Sequence, residues 1–70
     1  MELTNDEKIN IIKQHIKASL VNSFNLQMAL IEANALAVKD LELIKRINDE
    51  IVQEETKQKV LNDQIALLTK

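Results

Sequence analysis

Val38-Lys39-Asp40-Leu41-Glu42 is the stretch that decides the fold. Asp40 has the short acceptor side chain that caps a helix N-terminus. Glu42 would stand in the first turn of the helix that follows, where negative charge meets the positive end of the helix dipole. On this reading the chain reverses between Ala37 and Leu41 and lies back on itself. Nothing else interrupts it, because the 70 residues contain neither glycine nor proline, so no position supplies a cheap positive φ or forbids a helix outright.

Upstream of the break, Thr4-Asn5-Asp6-Glu7 reads as a capping box: the Thr4 hydroxyl meets the Glu7 N–H and the Glu7 carboxylate reaches back. From there Ile9, Ile12, Ile16, Leu20, Phe24, Met28, Ile31, Ala35 and Val38 recur at steps of three and four, the spacing of one helix face. This bulky face is expected to fill the gap to the second helix. An adjoining face carries Ser19, Ser23, Leu26, Leu30, Ala33 and Ala37, whose smaller side chains would allow close approach by a helix of another molecule. The third face, through Asn22, Asn25, Ala29, Glu32, Leu36 and Lys39, is mostly polar and suited to water.

Downstream, Ile44, Ile47, Ile51, Glu54, Gln58, Leu61, Ile65 and Leu68 alternate three- and four-residue steps, a heptad seam with two polar members. Glu42 with Arg46, and Glu55 with Lys59, sit four apart in the favourable order, each pair worth about 0.3 to 0.5 kcal/mol to the helix. The expectation is all-α: a long antiparallel helical hairpin with helices over 5–37 and 41–69 and a turn at 38–40. At 1.5 Å per residue these helices measure roughly 50 Å and roughly 43 Å, so they can lie side by side. Antiparallel pairing about Lys39 sets Ile9 and Ile12 near Ile65 and Leu68, Ile16 near Leu61, and Ile31 near Ile47. It also sets Leu20 and Phe24 against Gln58 and Glu54, a mismatch at the middle.

A single rod is the competing architecture. With Ile9 as heptad position a, the a and d phase runs through Ile12, Ile16, Leu26, Leu30, Ile44, Ile47, Ile51, Leu61, Ile65 and Leu68. That phase puts Ser19, Ser23, Ala33, Ala37, Asp40, Glu54 and Gln58 in the seam and leaves Leu20, Phe24, Met28 and Ile31 outside it, which favours the hairpin.

A chain this short rarely builds a core that outweighs its lost conformational entropy. With no cysteine and a single histidine, neither a disulfide nor a structural zinc site can staple it, which leaves self-association. The hairpin is therefore expected to dimerise into a four-helix bundle, with Ser19, Ser23, Leu26, Leu30, Ala33 and Ala37 as the interface. Phe24 is the only aromatic residue, Arg46 the only arginine, and the net charge is -2. Base stacking and an electrostatic footprint for a phosphate backbone are both missing, so nucleic acid is not an expected partner. The longest uncharged run, Ala18 to Ile31, contains Ser19, Asn22, Ser23, Asn25 and Gln27 and falls short of the roughly 20 apolar residues of a membrane span. No secretory signal is readable, and a soluble cytoplasmic protein is expected.

His15 and Ser19 lie one helical turn apart and could be drawn with Asp63 as base, nucleophile and orienter. Such a trio needs a pocket and oxyanion donors that paired aliphatic helices do not offer, so no enzyme activity and no catalytic residue, metal ligand or cofactor is expected. Asp49, Glu50, Glu54 and Glu55 are interspersed with Lys57 and Lys59 and read as a solvated face. Glu54 and Gln58 are the more telling pair, since polar residues in a seam can fix register or oligomeric state.

Ile11-Ile12-Lys13-Gln14-His15, followed by Phe24-Asn25-Leu26 and Leu30-Ile31-Glu32-Ala33-Asn34-Ala35, resembles short helical proteins of tailed phages of marine cyanobacteria. The likeness covers about half of the chain. It implies a hairpin and a viral source, hence the host cytoplasm, and brings no activity with it. Those proteins carry a proline or asparagine turn after the segment matching Asn34-Ala35, where this chain continues through Leu36-Ala37-Val38. The composition and the small-residue face point to a structural or scaffolding protein that self-associates, with an adaptor or inhibitor docking on another protein as the alternative.

Overall fold

Thr4 and Asp40 start the helices, each through its own side chain. The computed structural model describes residues 2–69. In it the Thr4 hydroxyl accepts from the Glu7 N–H at 3.1 Å while the Glu7 carboxylate accepts from the Thr4 N–H at 3.0 Å, the capping box read from the sequence. The Asp40 carboxylate accepts from the Glu42 and Leu43 N–H groups, both at 3.1 Å. The helices that result are α1 (Asn5–Asn34) and α2 (Leu41–Leu68). They pack antiparallel along their lengths, and the open end is tied by the Asn5 side-chain amide donating to the Leu68 carbonyl at 3.3 Å.

Helix α1 stops at Asn34, short of the expected boundary at residue 37. With no glycine available, the helix closes without a left-handed residue. Ala35 stays right-handed and its N–H is shared between the Ile31 and Glu32 carbonyls at 3.1 and 3.2 Å, while the Asn34 amide bonds back to the Leu30 carbonyl. Helix axes pack about 8 to 10 Å apart. The chain, confined to negative φ, crosses that distance over residues 35–40. At the other end α2 finishes at Leu68, with Thr69 donating its N–H to the Ile65 carbonyl.

The second difference is rotational. Among the described residues, those withdrawn from solvent are Ile9, Ile12, Ile16, Ser19, Ser23, Leu26, Leu30 and Ala33 on α1, and Ile44, Ile47, Ile51, Glu54, Gln58, Leu61, Ile65 and Leu68 on α2, with Ala29 alone off that phase. This is the heptad phase of the rod, here folded onto itself. The levels of the two helices match the expected register, but α1 is turned. Ser19 and Ser23, rather than Leu20 and Phe24, meet Glu54 and Gln58, and Leu20, Phe24, Met28 and Ile31 are exposed.

Candidate functional site

The polar middle of the hairpin is built from a residue type mismatch that resolves itself. Burying an unpartnered hydroxyl, amide or carboxylate is costly, so Glu54 and Gln58 need polar neighbours across the seam, and the face of α1 that supplies them is the one with Ser19 and Ser23. Ser19 is 3% exposed. Its hydroxyl donates to the Glu54 carboxylate at 2.6 Å and lies 3.3 Å from the Glu54 carbonyl. The Gln58 amide donates to the hydroxyls of Ser19 at 3.1 Å and Ser23 at 3.0 Å. Lys57 closes the outer side of Glu54 at 3.0 Å. These bonds, the one from Ser19 foremost and then that from Lys57, hold the Glu54 carboxyl below its ordinary 4.5 against the opposing effect of burial. No buried side-chain nitrogen or oxygen among the described residues is left without a partner.

The six residues expected at an intermolecular interface are therefore placed otherwise. Ser19, Ser23 and Ala33 are buried inside the hairpin, Leu26 and Leu30 are half-buried beside them, and Ala37 is exposed in the turn. Small side chains do permit close approach by a helix, and the helix that approaches is α2 of the same chain. The drawn trio is not assembled: the Ser19 hydroxyl is engaged by Glu54 and Gln58, Asp63 pairs with Lys59 at 3.3 Å, and His15 lies at the surface beside Gln14 and Ala18.

What α1 presents outward is the bulky set. Phe24 and Ile31 are each 61% exposed, Leu20 52% and Met28 40%. At about 100° per residue their spacing puts them on one flank of the helix, roughly a quarter-turn or more from the seam. Lys13 and Lys17 continue the same flank toward the N-terminus. The opposite flank, at the turn end, forms an open groove of about 510 Å³ over Leu26, Ala33, Leu36, Leu43 and Ile47, bordered by Glu32 and Glu50. The signal that would have separated the two faces was in the sequence: the unbroken heptad phase through both helices, weighed there against bulk.

No helix of the described residues is long and apolar enough to cross a membrane. No protein-family model, curated protein or solved structure matches the chain.

Proposed function

We propose that the protein is a non-enzymatic structural module that acts by self-association, two hairpins joining through the exposed α1 stripe of Leu20, Phe24, Met28 and Ile31 into an antiparallel four-helix bundle. The observation that carries this reading is the stripe itself, since contiguous exposed apolar residues mark contact surfaces. The elongated chain as a whole also has surface to spare. A compact monomer of 8.0 kDa would expose about 4,450 Å², whereas this one exposes 5645 Å². The excess, about 1,200 Å², is more than the roughly 800 Å² each partner contributes to a standard interface. Its cause is the 55 × 17 × 14 Å shape, in which each helix has only one neighbour.

Charge favours an antiparallel contact between the two α1 helices. Lys13 and Lys17 lie at one end of the stripe. A parallel contact would bring the lysines of both copies together, whereas an antiparallel one sends them to opposite ends and relieves like-charge repulsion. The resemblance to cyanophage proteins supplies the setting of the proposal, the cytoplasm of an infected cell.

Sedimentation equilibrium tests the reading. The wild type should associate at micromolar concentration, and Phe24→Glu with Ile31→Glu should reduce it to a monomer that keeps its helical circular dichroism. A helical wild-type monomer would overturn self-association and leave the stripe to a different protein, the adaptor alternative.

A further inference from the structure

The seam of the hairpin is symmetric about the point between Val38 and Lys39. Ser19 stands opposite Gln58, as their hydrogen bond shows. The same register pairs Ile9 with Leu68, Leu30 with Ile47 and Ala33 with Ile44, one a position against one d position at every layer. The three-and-four phase does not slip at the turn: Ala33, Ala37, Asp40 and Ile44 continue it. A straightened chain would therefore carry one uninterrupted seam. Laid antiparallel on a second straightened copy, it would reproduce every layer of the hairpin, with α1 of each copy on α2 of the other, and would add two central layers, each of one copy's Ala37 against the other copy's Asp40.

We propose that the protein exchanges helices with a second copy of itself, opening at 35–40 to form an antiparallel two-rod dimer from the same contacts that hold the hairpin. Exchange of identical elements between protomers is a low-cost route to a dimer because few contacts are new, and the turn offers little resistance. It contains no glycine, no proline and no positive φ. Ala35 is already right-handed helical, and Leu36 and Ala37 are strong helix formers. The local lock is Asp40, whose side chain holds the first N–H groups of α2 while its own backbone is extended at φ -90, ψ 100. A straight helix dispenses with that cap and places the carboxylate in a central layer. Against exchange stands the advantage of closing a short loop within one chain, which is equivalent to a high effective concentration of α2 near α1. Protein concentration and Asp40 thus set the balance.

This exchange stands apart from the stripe association. Leu20, Phe24, Met28 and Ile31 lie outside the shared phase and stay exposed whether α2 comes from the same chain or the other.

Small-angle scattering with sedimentation equilibrium, from micromolar to millimolar protein, tests it by length. The exchanged dimer should be about 95 Å long, from Asn5 to Leu68 at 1.5 Å per residue, against 55 Å for the hairpin. Asp40→Ala should tighten this dimer roughly 25-fold, two caps each worth about a factor of five. Lys39→Pro should abolish the long dimer while leaving a helical hairpin, since Lys39 lies outside both helices but would be interior to a rod. A dimer of about 95 Å that survives Phe24→Glu supports exchange even if the stripe reading fails. A dimer of hairpin length that Phe24→Glu dissolves supports the stripe and overturns exchange. Exchange is also overturned if Asp40→Ala stays monomeric at millimolar concentration, or if Lys39→Pro retains the long dimer.

Discussion

The Ser19 hydroxyl donates to the Glu54 carboxylate at 2.6 Å across the middle of the hairpin, and with the bonds from Gln58 to Ser19 and Ser23 it matches one height of pairing and one inward face of α1. A helix can rotate about its axis without changing its level against a neighbour. Apolar seams tolerate such rotation, because one aliphatic residue substitutes for another at small cost. A carboxylate and an amide do not tolerate it, since each must find a partner or water.

Removal of the donor should show this. Ser19→Ala leaves the Gln58 amide with Ser23 alone and takes from Glu54 its shortest bond. Because Gln58 keeps Ser23 and Glu54 keeps Lys57, a loss of about 0.5 to 1.5 kcal/mol is expected, the net worth of a hydrogen bond, read from urea unfolding at constant m. Replacing the whole group, with Ser19 and Ser23 as alanine and Glu54 and Gln58 as leucine, should raise the midpoint and broaden the distribution of registers seen by spin-label distances between positions 12 and 65. If the all-apolar variant kept one sharp distance, the polar group would not be what specifies the register.

The acid limb of stability should follow the two carboxylates with partners. Glu54 and Glu7 both have folded pKa values depressed below 4.5, Glu54 by Ser19 and then Lys57, Glu7 by the Thr4 N–H and then the Thr4 hydroxyl. A depressed carboxylate contributes stability that is present above its unfolded pKa and is lost as pH falls through its folded pKa. The melting temperature should therefore be level above about pH 5 and fall below 4.5, and Glu54→Gln combined with Glu7→Gln should flatten that fall. An unchanged acid limb in the double variant would remove both bonds from the account.

Helix starts should behave as local, separable units. Thr4→Ala deletes the acceptor for the Glu7 N–H and should cost about 0.5 to 2 kcal/mol, with amide exchange quickening over the first turn of α1 and unchanged in α2. Uniform quickening through both helices would mean that the hairpin opens as one unit and that the cap acts on the whole.

Both caps were legible in the sequence because a cap is local: a threonine or aspartate acts on N–H groups two or three residues away. The heptad of α2 was legible for the same reason, its period being set along one helix. The face of α1 that meets it was carried by the same heptad phase but obscured, because Leu20, Phe24, Met28 and Ile31 outweigh Ser19 and Ser23 in size. The competing physics was polar pairing across the seam, a relation between residues far apart in the chain. The end of α1 was not legible, since Leu36 and Ala37 are good helix formers and no glycine or proline marks the stop.

The two faces of α1 should accordingly fail in the opposite sense from that suggested by residue size. A buried ring would lose about 3 to 5 kcal/mol on truncation, but Phe24 is largely in water, so Phe24→Ala should change the stability of the dilute monomer by no more than about 0.5 kcal/mol. Its effect should fall on the proposed association, where the stripe would lose its largest side chain. Ala33 is buried against α2, beside Ile47 at the turn end, and Ala33→Glu would press a charge into that contact with no paired partner. It should unfold the turn-proximal half of the hairpin, with helical circular dichroism falling even at concentrations where no dimer exists. Ile47→Ala should act on the same half at about 2 to 5 kcal/mol. The measurement is chemical denaturation of all three variants below the association threshold, followed by sedimentation of those that remain folded. A Phe24→Ala monomer as damaged as Ile47→Ala, or an Ala33→Glu chain that stays fully helical while losing only its oligomeric mass, would return the small-residue face to the outside and the bulky face to the core.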